Sequence, residues 1–374
     1  MLIGIDGNEA NVANRVGVGQ YAYNLLLNLS RLDSQNQYIV YLKNQPASDF
    51  PQSTPNWQYR VFGPQKLWSR LALPLYLFFQ NEKLDLFFSP SHYSPLFCTC
   101  PTIPTIHDLG YLQFKSQFTK KDLYQLINWT KGSIKKAKHI ITVSKFSQGE
   151  IEKTYSINPN KISIAYNGVD TPPTIDLKTQ QKILSDYNLK TNNYFLYLGT
   201  LKPNKNIPFL VRSFSKYLKE IKTKNPKSNI CLVIAGKKGW LFDEIFQTVK
   251  EEGIESHVVF TDFVNETQKW TLYQNAICSI LPSTYEGFGI PVIESMKVGT
   301  PVIASTIPPL KEVIQNASLF IDPKNEADLV KKMIEISDPK IREKYSVLGK
   351  KQADKFTWVN TAKSVLQVFE KLVN

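Results

Sequence analysis

Cysteine is scarce in this chain: its 374 residues contain four, Cys98, Cys100, Cys231 and Cys278. Four scattered thiols do not make the disulfide framework of a secreted protein, so a reducing compartment is expected. Cys231 and Cys278 lie in apolar runs and read as small buried hydrophobes. Cys98 and Cys100 form C-x-C with no second pair nearby to complete a zinc site. Long apolar runs are missing as well. None reaches the roughly 18–20 residues of a membrane span, and the best attempt, Leu71 to Phe79, is short and contains Pro74. The N-terminal MLIGIDGNEA has neither the basic region nor the apolar region of a signal peptide and reads as a first strand. These absences predict a cytoplasmic protein, with peripheral attachment to the cytoplasmic membrane face as the one route to lipid. There is no low-complexity segment and no known nucleic-acid module. The first strand is not followed by G-x-G-x-x-G, since Gly17-Val18-Gly19 leads into Gln20, Tyr21 and Ala22, which argues against a nicotinamide dehydrogenase.

What is present is ordinary globular material, 42% hydrophobic and 21% charged. Single cores stop growing near about 250–300 residues, so two domains are expected. The formal charge of +13 favours polyanionic partners, or reflects a solvated basic surface. The lysines are unevenly spread. Between Lys115 and Lys138 there are seven, Lys115, Lys120, Lys121, Lys131, Lys135, Lys136 and Lys138, with one acid, Asp122. Phe114, Phe118, Tyr124 and Trp129 are interleaved, a pattern that fits an anionic membrane surface or an exposed helix with its aromatics in the core.

Along the chain an apolar strand, a loop and an amphipathic helix recur. Strand candidates are Leu2–Asp6, Tyr38–Leu42, Asp85–Ser89, Thr102–Ile106, His139–Val143 and Lys161–Ala165. A turn at Asn167-Gly168-Val169-Asp170 and the run Thr171-Pro172-Pro173-Thr174 mark a linker. A second series follows at Tyr194–Leu198, Ile230–Ala235, Val258–Thr261, Cys278–Leu281, Val302–Ser305 and Leu319–Ile321. Helices are expected around 207–221, 265–275, 291–298, 325–336 and 339–355. The reading is an α/β chain of two doubly wound, Rossmann-like domains facing a central cleft: 1–170, a linker over 171–187, and 188–357. A last helix, about 358–372, has apolar residues at helical spacing.

The most informative segment is Pro282-Ser283-Thr284-Tyr285-Glu286-Gly287-Phe288-Gly289-Ile290-Pro291-Val292-Ile293-Glu294. It follows an apolar strand and leads into a helix whose first turn holds Pro291. The glycines let a ligand approach the backbone, and the helix N-terminus suits a diphosphate. Glu286 in the loop, taken as flexible, and Glu294 one turn into the helix fit acceptors for ribose and sugar hydroxyls.

This segment resembles the E-x7-E motif of the retaining glycosyltransferases of family 4 (glycosyl transferases group 1), which have the two-domain GT-B fold. Other pieces resemble that family in the same order: Gly17-Val18-Gly19-Gln20-Tyr21, Thr105-Ile106-His107-Asp108, His139 to Ser147, Asn167-Gly168-Val169-Asp170, and Gly199-Thr200-Leu201-Lys202-Pro203-Asn204-Lys205-Asn206. The resemblance implies that 1–170 is the acceptor-side domain, with the last helix packing back on it, that 188–357 binds the nucleotide sugar, and that Glu286, Lys205 and His107 form the catalytic group. Lys205 would bind the donor diphosphate, Glu294 the ribose, and Glu286 would lie near the transferred sugar. Gly287, Phe288 and Gly289 would offer backbone N–H groups, and Gly17, Gly19 and Thr200 complete the implied donor set. Many members have an arginine where this chain has Thr200, and Asn204 replaces the arginine of closer members. The positive charge therefore falls to Lys205, helped by Lys202.

Breaking the anomeric bond puts negative charge on the leaving phosphate and positive charge on the sugar. A lysine and helix N–H groups answer the first and a carboxylate the second. No D-x-D segment has a metal-site context, so no metal and no other cofactor is expected. The resemblance also implies a nucleotide-sugar donor, with mannose on GDP suggested by the G-T-L-x-P-x-K-N pattern, and a glycan or lipid-linked acceptor. Another GT-B enzyme, such as an epimerase or a glycan phosphorylase, and a basic nucleic-acid-binding protein stay open as alternatives.

Overall fold

The computed structural model of the protein describes residues 1–226 and 229–373. The chain divides into two compact units, Met1–Gly168 with Thr357–Asn374, and Val169–Phe356.

The first unit is built on β1 (Leu2–Asp6), β2 (Gln37–Leu42), β3 (Trp57–Val61), β4 (Leu86–Ser89), β5 (Thr102–Ile106), β6 (Ile140–Thr142) and β7 (Ile162–Ile164). They form one sheet in the order β3-β2-β1-β4-β5-β6-β7. Every pairing is parallel. Buried on both faces, such strands need continuous apolar runs, and Leu86–Ser89 and Thr102–Ile106 are buried throughout. The helices are α1 (Val18–Leu32), α2 (Leu73–Phe79) entered through a π-helical turn at Trp68–Ala72, α3 (Gly110–Gln113), α4 (Lys120–Lys136) and α5 (Lys145–Tyr155). α1 turns Tyr21, Ala22, Leu25, Leu26 and Leu29 into the core. The Thr119 and Ser144 hydroxyls cap α4 and α5 by accepting from the Asp122 and Ser147 N–H groups.

The second unit repeats the plan with β8 (Tyr194–Leu198), β9 (Cys231–Ala235), β10 (Val258–Asp262), β11 (Cys278–Leu281), β12 (Val302–Ser305) and β13 (Leu319–Ile321). Their order is β10-β9-β8-β11-β12-β13, again all parallel. Its helices are α6 (Leu177–Asp186), α7 (Ile207–Lys224), α8 (Asp243–Glu251), α9 (Glu266–Asn275), α10 (Ile290–Lys297), α11 (Pro308–Ile314), α12 (Glu326–Ile336) and α13 (Pro339–Ala353). α6, capped by Asp176, occupies most of the stretch read as a linker. The final helix α14 (Trp358–Val373) belongs to the first unit. There the Thr361 hydroxyl donates to the Tyr166 carbonyl (2.6 Å) and Phe369 meets Phe88 at 5.3 Å between ring centres.

Each sheet has one place where connections leave in opposite directions. It lies between β1 and β4 in the first unit and between β8 and β11 in the second. Loops at the carboxyl ends of strands flanking such a point form a crevice suited to ligands.

Candidate active site

In the second unit the loop after β8 (199–206) and the loop after β11 (282–289) meet at that point. Asn204 joins them: its side-chain amide donates to the Tyr285 carbonyl (3.1 Å), and its own carbonyl accepts from the Thr284 N–H (2.9 Å). Asn206 adds a second link through its amide, which donates to the Pro282 carbonyl at 3.2 Å and the Pro323 carbonyl at 2.9 Å. The staple brings Lys205 Nζ to 2.5 Å from Glu286 Oε1, and the Ser283 hydroxyl donates to the same oxygen at 2.7 Å. The side chains of Lys205 and Glu286 are 16% and 9% exposed. Glu286 Oε2 accepts no hydrogen bond among the described residues, and one ammonium N–H of three is committed to the pair. An acceptor oxygen and two cationic donors are thus held side by side. The loop is well packed: residues 285–289 are all buried, with Phe288 against Phe356 at 5.6 Å.

Gly289 turns the chain into α10 with φ of 100°, a conformation that side-chain-bearing residues rarely adopt. A Cβ there would also come within 2.5 Å of Leu310. The α10 N-terminus is a leaner anion site than expected. Pro291 has no N–H, and the Val292 N–H already donates to the Gly289 carbonyl (3.0 Å). Glu294 is buried. Its Oε1 accepts from Lys269 Nζ at 2.9 Å, and Tyr273 Oη lies 3.2 Å from Oε2. Burial works against the Lys269 charge, but Glu294 and Glu266 outweigh it and hold the ammonium protonated. With both oxygens fixed from behind, the remaining lone pairs of Glu294 suit a vicinal diol.

Thr200 is half-buried, and its carbonyl accepts from the Tyr197 hydroxyl at 3.2 Å. Lys202 stands 4.3 Å above the Trp240 ring rather than joining Lys205 in the ion pair.

The other candidates lie in the first unit. Gly17 precedes α1 with φ of 51° and open space where a Cβ would sit. Gly19 is buried in the first turn, and a Cβ there would meet the Glu9 carbonyl at 3.0 Å. One turn on, Tyr21 packs edge-on against His107, 4.6 Å between ring centres. His107 directly follows β5. Its Nε2 lies 3.2 Å from the Pro90 carbonyl, which can only accept, so Nε2 carries the proton. Burial and the neighbouring His92 pull its pKa down to about 4. The ring is therefore neutral at physiological pH, and Nδ1 is left as an acceptor. The structure gathers the predicted residues into these two groups, one in each unit.

Comparison with known proteins gives the family. Residues 16–172 match the family described as Glycosyltransferase Family 4, and residues 179–353 match the family described as Glycosyl transferases group 1. The chain belongs to the family 4 glycosyltransferases. It is 29% identical over 277 residues to O-antigen chain mannosyltransferase B of Escherichia coli, covering 72% of this chain and 70% of that protein. It is 32% identical over 256 residues to the O-antigen chain mannosyltransferase RfbU of Salmonella typhimurium, covering 68% and 65%. Among solved structures, Anabaena HepE in complex with UDP-glucose has a similar fold, with a TM-score of 0.73 at 16% identity over 99% of both chains. The GT-B fold and hexosyltransferase class thus follow for this chain.

Two residues of the candidate site escape a reading of the sequence. Lys269 has its partner Glu294 25 positions away, so no local pattern reveals the pair. Asn204 reads as a lost arginine, yet its amide is the staple between the two loops. A short side chain that both donates and accepts was the available signal.

The seven lysines from Lys115 to Lys138 are all exposed. The aromatics among them are not core residues throughout: Tyr124 is 64% exposed, and Trp129 is half-buried with the Arg70 guanidinium 4.3 Å from its ring centre. Nearby, the Lys136 ammonium donates to the Leu96 carbonyl (2.9 Å), and Phe97 meets Phe78 on α2. Phe78, Phe79, Leu75 and Phe97 are exposed. Among the described residues no helix is long and apolar enough to cross a membrane.

Proposed function

We propose that the protein is a retaining, metal-independent mannosyltransferase. It takes mannose from a nucleoside diphosphate, GDP by preference, and adds it to a lipid-linked glycan in polysaccharide synthesis. The single observation that carries this reading is the Lys205–Glu286–Ser283 cluster at the crevice between β8 and β11. The two free N–H groups of Lys205 answer the negative charge that grows on the leaving phosphate. The unbonded Oε2 of Glu286 faces the sugar as its ring becomes positive. Glu294 holds the ribose, and neutral His107 accepts from a sugar hydroxyl through Nδ1. The cationic loop serves in place of a divalent ion. Mannose and the polysaccharide context are supported by the names of the two O-antigen mannosyltransferases to which the chain is similar.

Peripheral attachment at the cytoplasmic membrane face fits the same reading, because a lipid-linked acceptor sits there. Exposed Phe78, Phe79 and Phe97 would enter the interface while the α4 lysines meet anionic headgroups. A panel of nucleotide sugars tests the donor. At about 100 times Kd a true donor stabilises the fold by about 2.7 kcal/mol, and GDP-mannose is expected to lead the panel. Transfer in the presence of EDTA, with the product anomer read by NMR, is expected to proceed undiminished and to keep the donor's configuration. An inverted product or an EDTA-dead enzyme would remove the corresponding part of the proposal.

A further inference from the structure

The loop between β4 and β5 holds a pair of thiols that the proposed transfer does not use. Cys98 and Cys100 are both free. They lie just before β5, at the opposite end of that strand from His107. On an extended strand, residues two positions apart share a face about 6–7 Å apart. Here the chain bends at Thr99 and Cys100, and the two sulfurs are 3.2 Å apart, within reach of a hydrogen bond from one thiol to the other.

The segment is held at both ends. Before it the Leu96 carbonyl accepts from Lys136 Nζ at 2.9 Å, and after it the Pro101 carbonyl accepts from the Phe87 N–H at 2.8 Å. On one side the thiols pack against the core cluster that includes Ile39, Tyr41 and Phe87. Neither is fully buried, and Phe97 and Thr99 beside them are exposed, so a small polar solute can reach the sulfurs. Cys231 and Cys278 differ: they are buried, and each thiol donates to a carbonyl.

A structural role does not explain the pair. Among the described residues no group of three His, Cys, Asp or Glu could hold a metal ion. A disulfide between residues two apart closes a very short ring and restrains the unfolded chain little. A short, accessible dithiol is instead suited to forming and releasing that bond. The two sulfurs are also unlike. A hydrogen bond from the Cys100 thiol, with the Cys100 and Thr99 N–H groups, pulls the Cys98 pKa below its ordinary value against the effect of burial. The same thiol–thiol bond, burial and the Asp85 charge push Cys100 up. Cys98 is thus the better nucleophile.

We propose that Cys98 and Cys100 form a reversible redox site, oxidised by hydroperoxides to an intramolecular disulfide. The Cys98 thiolate attacks the peroxide O–O bond, takes one oxygen as a sulfenic acid and releases hydroxide. The Cys100 sulfur then attacks the Cys98 sulfur, the S–O bond breaks, and the hydroxyl leaves with the Cys100 proton as water. Two electrons pass from the sulfurs to the peroxide, and a dithiol reductant returns them. A transient bond of this kind is compatible with a reducing compartment. The inference does not depend on the glycosyl-transfer reading.

Mass spectrometry of the folded chain after treatment with hydrogen peroxide tests it. The native protein should lose two hydrogens in the peptide that contains both residues and regain them with dithiothreitol. Cys100→Ser should stop at a Cys98 sulfenic acid that dimedone traps. Cys98→Ser should react at least about tenfold more slowly than the native protein, and Cys231 and Cys278 should stay unmodified. No disulfide in the folded native protein, equal rates for Cys98→Ser and the native protein, or oxidation of Cys231 and Cys278 as fast as that of the pair would overturn the proposal. The native protein is read directly, so a variant that fails to fold does not remove the test.

Discussion

Replacing Lys269 by methionine strips the buried Glu294 of its ammonium partner. The two groups are 2.9 Å apart, with side chains 9% and 10% exposed. Glu266, the other partner of Lys269, is 61% exposed and adds little. Removing one member of a buried pair leaves a charge with neither water nor a counter-ion, at a cost of about 3–5 kcal/mol. In a unit of this size about 1 kcal/mol lowers Tm by roughly 2–4 °C, so Lys269→Met should melt about 6–20 °C below the native protein. The double variant Lys269→Met with Glu294→Gln removes both charges and should recover more than half of the loss, since Tyr273 still has a polar partner. Thermal melts followed by circular dichroism, supported by urea titration, read both numbers. Lys269→Met should also raise the donor KM, because Glu294 is no longer fixed from behind. A single variant that costs under about 1 kcal/mol, as an exposed pair would, refutes the view that Glu294 is a desolvated carboxylate held in place by Lys269.

The two glutamates should separate kinetically. Glu294→Gln is expected mainly to raise the donor KM, and Glu286→Gln mainly to lower kcat, because only the second contact strengthens as the sugar gains charge. Identical KM-only effects in steady-state kinetics would make Glu286 a binding residue. Asp6 gives a pH signature. Burial, helped by the Glu9 charge, lifts its pKa to about 6 against the Asn8 hydrogen bonds and Lys43, so the folded state binds more protons than the unfolded chain between about pH 4 and 6. Asp6 thus costs stability at neutral pH, and the cost disappears as pH falls through 6 towards 4. Asp6→Asn should stabilise the fold by on the order of 2 kcal/mol at pH 8 and by almost nothing at pH 4; an equal effect at both values contradicts the assignment. Binding to anionic vesicles should weaken with salt and when Lys131, Lys135, Lys136 and Lys138 become glutamine, whereas equal binding to neutral vesicles would leave the lysines without this role.

Much of the fold was legible because parallel strands buried on both faces must be apolar throughout. Runs such as Tyr194–Leu198 and Cys278–Leu281 need no neighbour to declare themselves. β3 was missed because Trp57–Val61 is an edge strand of mixed burial without a clean apolar run. α11 was missed because Pro308 and Pro309 read as a break, although proline is at home in a first helical turn. The stretch read as a linker announced itself by Pro172 and Pro173, but Leu177–Asp186 beyond them is amphipathic and caps on Asp176. At the site, the glycine loop between a strand and a helix pointed to Glu286 and Glu294, and the family resemblance implied their roles. The Asn204 staple and the Lys269 pair were not legible, because they join residues 81 and 25 positions apart and depend on tertiary packing.

The most direct test of the account is donor turnover in Lys205→Ala, measured as transfer from GDP-mannose or whichever nucleotide sugar gives the largest thermal shift. The side chain carries the ammonium that pairs with Glu286 and is assigned to the leaving phosphate. With Thr200 in the loop and Lys202 engaged by Trp240, little charge remains to compensate. The account predicts a fall in kcat of about 10²-fold or more, with a folded protein confirmed by its melt. Near-native turnover in Lys205→Ala would contradict the central claim and place the leaving group elsewhere.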